Sequence, residues 1–384
     1  AAGGGAKRQQ IPGLHSAAEG SVERHRRGAV SASNPTDPPQ PPDAPGLRDP
    51  PLEEPRSGRR PGRRDELKNE FSWSPSRARL FAGCRRAYWW RYYGHWGGWD
   101  VDAPARARIA YRLGKMDTLD TWAGTIVHDL IEGALKRGRW GRPIRGDELR
   151  QQARARLRVG WVQSRDGHWR QEPKRALNLI EHYYGGAAPD RERTDAVADR
   201  VYRALEGFVD GPYPPLVPRI ARAGWRSIEA LDHIVVDGAV VYVKPDLAFD
   251  HPDDGTTWLV DWKTGAPSDK DPFQLATYAL FARERWGLAP ERVSAVLVYL
   301  ARGESAPVII DDASVDAARE QILGSIAQMR ATLRDVAGNV AEAADFPLTD
   351  DRAECGRCSF RQLCFGAAGV PGAALAGDPE VDPP

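Results

Sequence analysis

The chain has 384 residues, and its 54 basic and 53 acidic side chains leave a formal net charge of +1. That length fits one large domain or two ordinary ones, and four cysteines are too few for a disulfide scaffold. The sequence has no run of about 18 apolar residues and no charged-then-apolar start, so we exclude a membrane span and a secretion signal and expect a cytoplasmic protein.

The two ends of the chain differ in composition from its middle. Residues 1–64 carry 11 Pro and 9 Gly, and no Phe, Trp or Tyr precedes Phe71. Such a stretch buries too little apolar surface to offset its ordering entropy. We therefore predict Pro/Gly/Arg-rich disorder over 1–68, a folded domain over 69–365 and a second disordered tail over 366–384. The first tail is either a solvated linker or a basic arm that binds nucleic acid.

Helical patterns come first in the predicted domain. Ser74 and Pro75 have the sequence of an N-cap and a first helical position, and apolar residues follow at helical spacing as far as Tyr88. A second helix is predicted over 118–136. The stretch 137–224 has the pattern of an irregular, mostly helical insert.

The periodicity then changes from 3.6 to 2. Three strands, a helix, two strands and a last helix are predicted at 227–236, 239–249, 256–264, 272–286, 293–300, 306–311 and 313–337. Asp237 and Gly238 have the sequence of a tight hairpin turn between the first two strands. This order of elements predicts an α/β fold with a mixed central sheet flanked by helices.

Two carboxylates and an ammonium group come together in this pattern. Asp261 and Lys263 lie two residues apart on one predicted strand, so both side chains leave the same face. Asp246 lies near the end of the preceding strand, and the short turn between the strands brings it beside Asp261. With the backbone carbonyl of Trp262, this patch can hold Mg²⁺, which prefers oxygen ligands, and Lys263 can then assist an attacking water. Alternatively, the Asp-x-Lys pair is a surface ion pair.

Four further polar side chains can join the patch. His128 lies in the middle of a helix, where it is either a core histidine or a neutral imidazole ligand that favours Mn²⁺ or Fe²⁺. Gln274 and Tyr278 are four residues apart and therefore share one face of their helix. Glu229, on the first strand, points toward the same region if its alternation matches.

The cysteines have a spacing typical of metal ligands. Cys355, Cys358 and Cys364 lie within ten residues, whereas Cys84 comes from the start of the domain. Four thiolates suit Zn²⁺ in a closed tetrahedral site or a [4Fe–4S] cluster, and free thiols are the remaining alternative. Either metal site would clamp the first helix onto the C-terminal part of the domain.

The order of the polar motifs resembles the PD-(D/E)xK nuclease superfamily. The motifs are Gly124-x3-His128, Asp246, Asp261-x-Lys263 and Gln274-x3-Tyr278, and the segment 72–94 is similar to the start of RecB-type nuclease domains and of CRISPR-associated Fe–S exonucleases. The resemblance covers about 71–365. It departs in form at Asp261, where many relatives have Glu.

The resemblance implies a fold, a set of ligands and their roles. The fold is a restriction-endonuclease-like core, in which His128, Asp246 and Asp261 bind Mg²⁺ or Mn²⁺ and Lys263 is catalytic. Gln274 and Tyr278 would support the site or contact DNA. A solitary N-terminal cysteine with a C-terminal Cys-x2-Cys-x5-Cys motif is similar to the Fe–S nucleases, which implies a [4Fe–4S] cluster rather than Zn²⁺.

Two basic segments are interleaved with aromatic residues. Residues 139–175 hold 11 basic and 4 acidic side chains together with Trp140, Trp161 and Trp169, and the arginines of 77–91 lie among five Tyr and Trp residues. Basic groups neutralise phosphates and exposed aromatics stack on bases, although the aromatics can instead pack the core. We expect a path for DNA, with single strands or DNA ends as the substrate.

Together these features predict a metal-dependent DNA exonuclease of repair or recombination. Because the chain has no Gly-x4-Gly-Lys-Ser/Thr phosphate loop, a helicase motor would be a separate partner protein. One alternative is a nuclease that trims ends for CRISPR adaptation with an integrase as partner. Another is a non-catalytic DNA-binding scaffold, against which the intact Asp246, Asp261 and Lys263 argue.

Overall fold

The computed structural model describes residues 67–185 and 191–366. Apart from residues 67, 68 and 366, the predicted tails lie outside the described residues. The chain divides into two units, 1–68 and 69–384, and every element described below belongs to the second. None of the helices in the described part of the chain has the length and apolar character needed to cross a membrane.

The described residues form twelve α-helices and eight strands. The helices are Pro75–Gly83 (α1), Arg85–Trp89 (α2), Ala105–Leu113 (α3), Leu119–Gly138 (α4), Gly146–Arg165 (α5), Ile180–Tyr184 (α6), Arg191–Val209 (α7), Tyr213–Leu216 (α8), Asp271–Trp286 (α9), Asp312–Arg330 (α10), Arg352–Arg357 (α11) and Arg361–Phe365 (α12). The strands are Ser72–Trp73 (β1), Trp225–Ile228 (β2), Asp232–Val236 (β3), Ala239–Val243 (β4), Leu247–Asp250 (β5), Thr257–Lys263 (β6), Val293–Tyr299 (β7) and Glu304–Val308 (β8). A π-helix, Trp90–Gly94, follows α2 directly.

The strands form two mixed sheets. The larger has the order β2-β5-β6-β7-β8, with β6 and β7 parallel and the other pairs antiparallel. The smaller has the order β1-β4-β3, in which β1 runs parallel to β4. The predicted α/β class with a mixed sheet flanked by helices is therefore confirmed, with the addition of a second sheet.

Each of the first two predicted strands is in fact two strands. The predicted strand 227–236 breaks after β2 at Glu229, and the predicted strand 239–249 breaks between β4 and β5 at Pro245, which has no N–H for a ladder. The predicted hairpin turn is present, because Asp237 and Gly238 have the positive φ angles of a type I′ turn. The breaks let β2 and β5 pair in the larger sheet while β3 and β4 pair in the smaller one.

The predicted first helix is also interrupted. Ser74 caps α1 as expected, its hydroxyl accepting a hydrogen bond from the Arg77 N–H. The helix ends at Cys84, whose backbone is extended (φ −157°) and whose Sγ accepts a hydrogen bond from the Ala87 N–H at the start of α2. Helix α10 stops at Arg330, short of the predicted 337, and α3 was not predicted.

The larger sheet is buried on both faces. One face packs with α4, α5 and α7 through residues such as Val260 and Trp262. Alternate residues of the same strands, such as Leu259 and Leu297, pack on the other face with α9 and α10. Burial of both faces explains the nearly continuous apolar sequence of β6 and β7. It also places α4 beside the end of β6, where the polar residues meet.

Candidate active site

The strand breaks bring two acidic residues together at the end of β6. The register that pairs Leu247 with Val260 puts Asp246 across from Asp261. The Trp262 N–H donates a hydrogen bond of 2.7 Å to Asp246 Oδ2, which orients that carboxylate. The side chain of Trp262 is buried in the core, so its part in the site is made by its backbone.

Helix α4 supplies an imidazole to these carboxylates. His128 Nδ1 lies 2.8 Å from Glu229 Oε1 and 3.5 Å from Asp246 Oδ1. Ligand atoms of His128, Glu229 and Asp246 all lie within 4.8 Å of one another, close enough to share one metal ion. The other Glu229 oxygen lies 2.7 Å from Lys244 Nζ.

Glu229 reaches this group through an unusual backbone conformation. Its φ is 51°, in the left-handed region that a residue other than glycine rarely adopts. Its N–H donates to the carbonyl oxygens of Pro245 and Asp246, both at 3.1 Å, so the two strand breaks hold each other. This bend directs the Glu229 side chain, whereas the prediction relied on strand alternation. Backbone strain of this kind is characteristic of functional sites.

A second chain of contacts begins at Asp261. Asp261 Oδ2 lies 2.7 Å from Lys263 Nζ, and that ammonium donates a 2.9 Å hydrogen bond to Gln274 Oε1. Gln274 Nε2 in turn donates to the Tyr278 hydroxyl at 2.7 Å, which donates to the Lys244 carbonyl at 3.0 Å. The helix pair Gln274 and Tyr278 therefore holds Lys263 in place. We call His128, Glu229, Asp246, Asp261 and Lys263 the Asp261 cluster.

The carboxylates of the cluster perturb one another. Burial raises the pKa of Asp261 to about 7, and the charge of Asp246 adds to the increase, while Lys263 and His128 oppose it. Burial lowers the pKa of His128, but Asp246 and Glu229 outweigh that effect and raise its pKa to about 10. The raised pKa of His128 reflects the carboxylates around it, and a cation at this position would relieve their charge and the cost of burying ionised Asp261. The donor set, imidazole nitrogen and carboxylate oxygens, fits Mn²⁺ or Mg²⁺.

Sequence reasoning missed two members of the site. Lys244 binds Glu229, and its position two residues before Asp246 on an alternating segment was the available signal. Asp271 lies 3.7 Å from Lys263 Nζ and accepts a 3.0 Å hydrogen bond from the Tyr299 hydroxyl. An acidic residue in the first turn of the helix that carries Gln274 was its signal.

The four cysteines lie around one cavity of about 380 Å³. Burial raises the pKa of the Cys358 thiol to about 12, and the other three thiols are near enough to add to this shift. No group of three metal-ligand atoms within 4.8 Å includes a cysteine in the described part of the chain. Cys84 lies beside the same cavity as the three C-terminal cysteines. The four sulfurs are not gathered as closely as in a closed tetrahedral zinc site, where sulfurs lie about 3.8 Å apart.

Burial corrects the predicted DNA-stacking aromatics. Tyr88, Trp90 and Trp169 are buried, so they are core residues and do not offer faces to bases. Trp140 is exposed, between the guanidinium groups of Arg139 and Arg222. Two other tryptophans, Trp96 and Trp99, are exposed just after the basic segment 77–91. They were not predicted as stacking residues.

A mixed sheet with this carboxylate–lysine constellation at the end of its middle strand defines the restriction-endonuclease-like class of α/β proteins. The model of the PD-(D/E)XK nuclease superfamily matches residues 72–365, and the chain belongs to this superfamily. Membership supports a metal-dependent nuclease that hydrolyses phosphodiester bonds with Mg²⁺ or Mn²⁺. A comparison with curated proteins finds no match.

Proposed function

We propose that the protein is a DNA exonuclease that degrades single strands or DNA ends and that the Asp261 cluster is its active site. The observation that carries this proposal is the buried Asp246–Asp261 pair, with Lys263 Nζ 2.7 Å from Asp261 and His128 Nδ1 3.5 Å from Asp246. A partly compensated carboxylate pair beside an ammonium group is the arrangement expected of a site that takes up both a cation and a phosphodiester.

The residues divide the work. His128, Glu229, Asp246 and Asp261, with the Trp262 carbonyl, would hold Mg²⁺ or Mn²⁺, which polarises the phosphodiester and makes water more acidic. Lys263 orients the attacking water and offsets the charge that develops on the phosphate. Gln274 fixes the position of Lys263, and Tyr278 fixes Gln274.

The decisive experiment compares Lys263→Ala with a matched lysine variant. Lys270 is exposed and lies seven residues further along the chain, outside the cluster, so Lys270→Ala is the control. Each protein is incubated with Mn²⁺ and one of three substrates. They are end-labelled linear single-stranded DNA, end-labelled duplex DNA and circular single-stranded DNA. We expect Lys263→Ala to lose about 100-fold or more in kcat while Lys270→Ala cleaves like the wild type.

Two results would contradict the proposal. Equal cleavage by wild type and Lys263→Ala would remove Lys263 from the mechanism. Cleavage of circular single-stranded DNA as fast as linear DNA would remove the exonuclease assignment, because a circle offers no end.

We further propose a [4Fe–4S] cluster held by Cys84, Cys355, Cys358 and Cys364. Their shared cavity and the motif of one N-terminal cysteine with a C-terminal Cys-x2-Cys-x5-Cys support it. Burial raises the pKa of the Cys358 thiol to about 12, and a bound cluster would hold it as the thiolate. The cluster would join α1 and α2 to α11 and α12 and has a structural role.

Cys84→Ser tests this second proposal. We expect purified wild type to contain about four iron and four sulfide per chain and the variant to lose both, together with its brown absorbance and part of its thermal stability. Zinc in place of iron in the wild type, or full iron content in the variant, would contradict the four-cysteine cluster.

For the cell, we propose a cytoplasmic protein of DNA repair or recombination that acts with a separate helicase. The superfamily membership supports a nuclease role but leaves the pathway to experiment. Affinity purification of the full chain distinguishes the partners. A helicase in the complex supports repair, whereas a CRISPR integrase in its place supports end trimming during adaptation.

A further inference from the structure

A small cavity outside the Asp261 cluster is lined by cations. It has a volume of about 200 Å³, and Arg77, Arg91, His95, Tyr111 and Lys115 contribute to its wall. None of the described residues that line it is acidic. We call it the Arg91 cavity.

The cations of this cavity have few counter-charges. Within the described ranges, Arg91 and Lys115 make no ion pair, and burial lowers the pKa of Lys115, with Arg91 and Lys174 adding to that effect. The carboxylate that Arg91 does influence, Asp117, is half-buried and lies outside the lining of this cavity. A concave positive surface of this kind attracts anions.

A buried hydroxyl in the wall also lacks a partner. Tyr111 is only 5% exposed, yet its hydroxyl makes no hydrogen bond to any described residue. The rings of His95 and Tyr111 are parallel with centroids 6.1 Å apart, and Lys115 Nζ lies 5.2 Å from the Tyr111 centroid. Buried polar groups without partners are costly, so a hydrogen-bonding ligand is the natural occupant.

Aromatic faces continue from this wall to the surface. Trp99 lies 6.0 Å from Tyr111, and Trp96 lies 5.1 Å from Trp99 in an edge-to-face arrangement. The two tryptophans are 40% and 38% exposed. The loop that carries them is held close to α3, because a Cβ added to Gly98 would lie 2.2 Å from the Ala107 carbonyl oxygen. The stacking faces are therefore preorganised.

A second cavity extends from this region along α4, although no residue of the Asp261 cluster lines it. It has a volume of about 510 Å³ and shares Lys115 with the Arg91 cavity. Its wall includes Lys174 and Arg175 and one stripe of α4, with Thr125 and Asp129 adjacent to His128. Helix α4 starts four residues after Lys115, and about 14 Å of helix separate its first residue from His128.

We propose that the Arg91 cavity and the Trp96–Trp99 pair bind a single strand of DNA, with a phosphate in the cavity and bases against the tryptophans. The strand then follows α4 to the Asp261 cluster. This inference rests on the proposed nuclease function for its role, although the binding itself does not require cleavage. Duplex DNA does not suit the surface, because its bases are stacked on one another and cannot stack on protein rings.

The test measures binding without catalysis. A fluorescein-labelled oligothymidylate is titrated with protein in EDTA and followed by anisotropy. The anchor variants are Arg91→Ala/Lys115→Ala and Trp96→Ala/Trp99→Ala. The matched controls are Tyr242→Ala, an aromatic residue on β4 that is 38% exposed, and Arg285→Ala/Arg319→Ala, which removes two arginines from exposed ion pairs.

We expect both anchor variants to weaken binding by about 10-fold or more and the controls to stay within about twofold. The slope of log Kd against log salt should fall by about 1.4 in Arg91→Ala/Lys115→Ala and remain in Arg91→Lys. Circular dichroism confirms that the variants are folded, and the tryptophan pair, being exposed, provides the second route if the cation pair does not fold.

The outcomes separate this inference from the proposed function. Thymidine 5′-p-nitrophenyl phosphate is too short to reach from the Asp261 cluster to the Arg91 cavity. The wild type and the anchor variants should therefore cleave it equally well if the protein is a nuclease. If the wild type cleaves no phosphodiester, the nuclease proposal fails while the binding result still decides the anchor. Wild-type affinity in both anchor variants, or equal affinity for duplex DNA, overturns the anchor. Tighter binding of RNA of matching sequence overturns the choice of DNA.

Discussion

The protein gathers like charges in two places and compensates them differently. In the Asp261 cluster the carboxylates face cationic groups of the same chain, with Lys263 near Asp261 and His128 near Glu229. In the Arg91 cavity no described residue pairs with Arg91 or Lys115. The first arrangement keeps two carboxylates side by side, where burial and the charge of Asp246 raise the pKa of Asp261, whereas the second has few counter-charges.

The difference teaches which ligand each region takes. Buried carboxylates that are partly compensated bind a small, highly charged cation without collapsing when it leaves. Cations near the surface with no acidic partner keep their full attraction for phosphates. One region is therefore built for a metal ion and the other for a polyanion, and variants in each should respond in opposite ways to added ligands.

The largest effect is expected for Asp261→Asn. Asn keeps the shape but removes a charged ligand, so kcat with Mn²⁺ should fall by about 10³-fold. Stability should change in the other direction, because ionised Asp261 is buried beside Asp246 and costs folding free energy.

The pH dependence follows from the sign of that shift. The pKa of Asp261 is near 7 in the folded protein and lower when unfolded, so the wild type loses stability as pH rises from about 4 to about 7. In EDTA, the Tm of Asp261→Asn minus that of the wild type should therefore increase over this range and then level off. Thermal denaturation at several pH values measures it, and Ser305→Ala on exposed β8 is a neutral control. If the difference in Tm were the same at every pH, ionisation of Asp261 would cost no folding free energy.

Part of the Asp261 cluster could be predicted from the sequence because simple periodicity determines it. The strand period of 2 places Asp261 and Lys263 on one face, and the helix period places Gln274 beside Tyr278. Both pairs contact as that geometry requires. Their chemical roles stay predictions until the variants are measured.

The rest depends on features that no local pattern reveals. Glu229 reaches His128 through a left-handed backbone angle at a strand break, which alternation cannot predict. The same is true of the aromatics, since their interleaving with arginines predicted that Tyr88 and Trp90 offer stacking faces although they pack the core. Exposure of Trp96 and Trp99 depends on a loop whose path is set by its contact with α3.

The Arg91 cavity could be predicted only in part, because the basic segment 77–91 includes Arg77 and Arg91 but Lys115 was not singled out. Its cations come from α1, the π-helix and the turn before α4, so the groups are separated in sequence by irregular segments. Only tertiary packing brings Arg77, Arg91 and Lys115 together, and their sum of charge is invisible in a chain whose net charge is +1.

The smallest effect is expected when a simple anion is offered to the two regions. Inorganic phosphate should bind the Arg91 cavity weakly and stabilise the folded protein by mass action, with a rise in Tm of about 2 °C for about 1 kcal/mol. Phosphate also stabilises proteins by exclusion from their surface, so the informative quantity is the difference between wild type and Arg91→Ala/Lys115→Ala. The double variant should lose the extra rise, whereas Arg285→Ala/Arg319→Ala should keep it. Differential scanning fluorimetry at constant ionic strength, with chloride replaced by phosphate, measures the effect. Equal rises in all three proteins would show that the cations of the cavity do not discriminate a phosphate from chloride, and the contrast between the two regions would then reduce to the carboxylates alone.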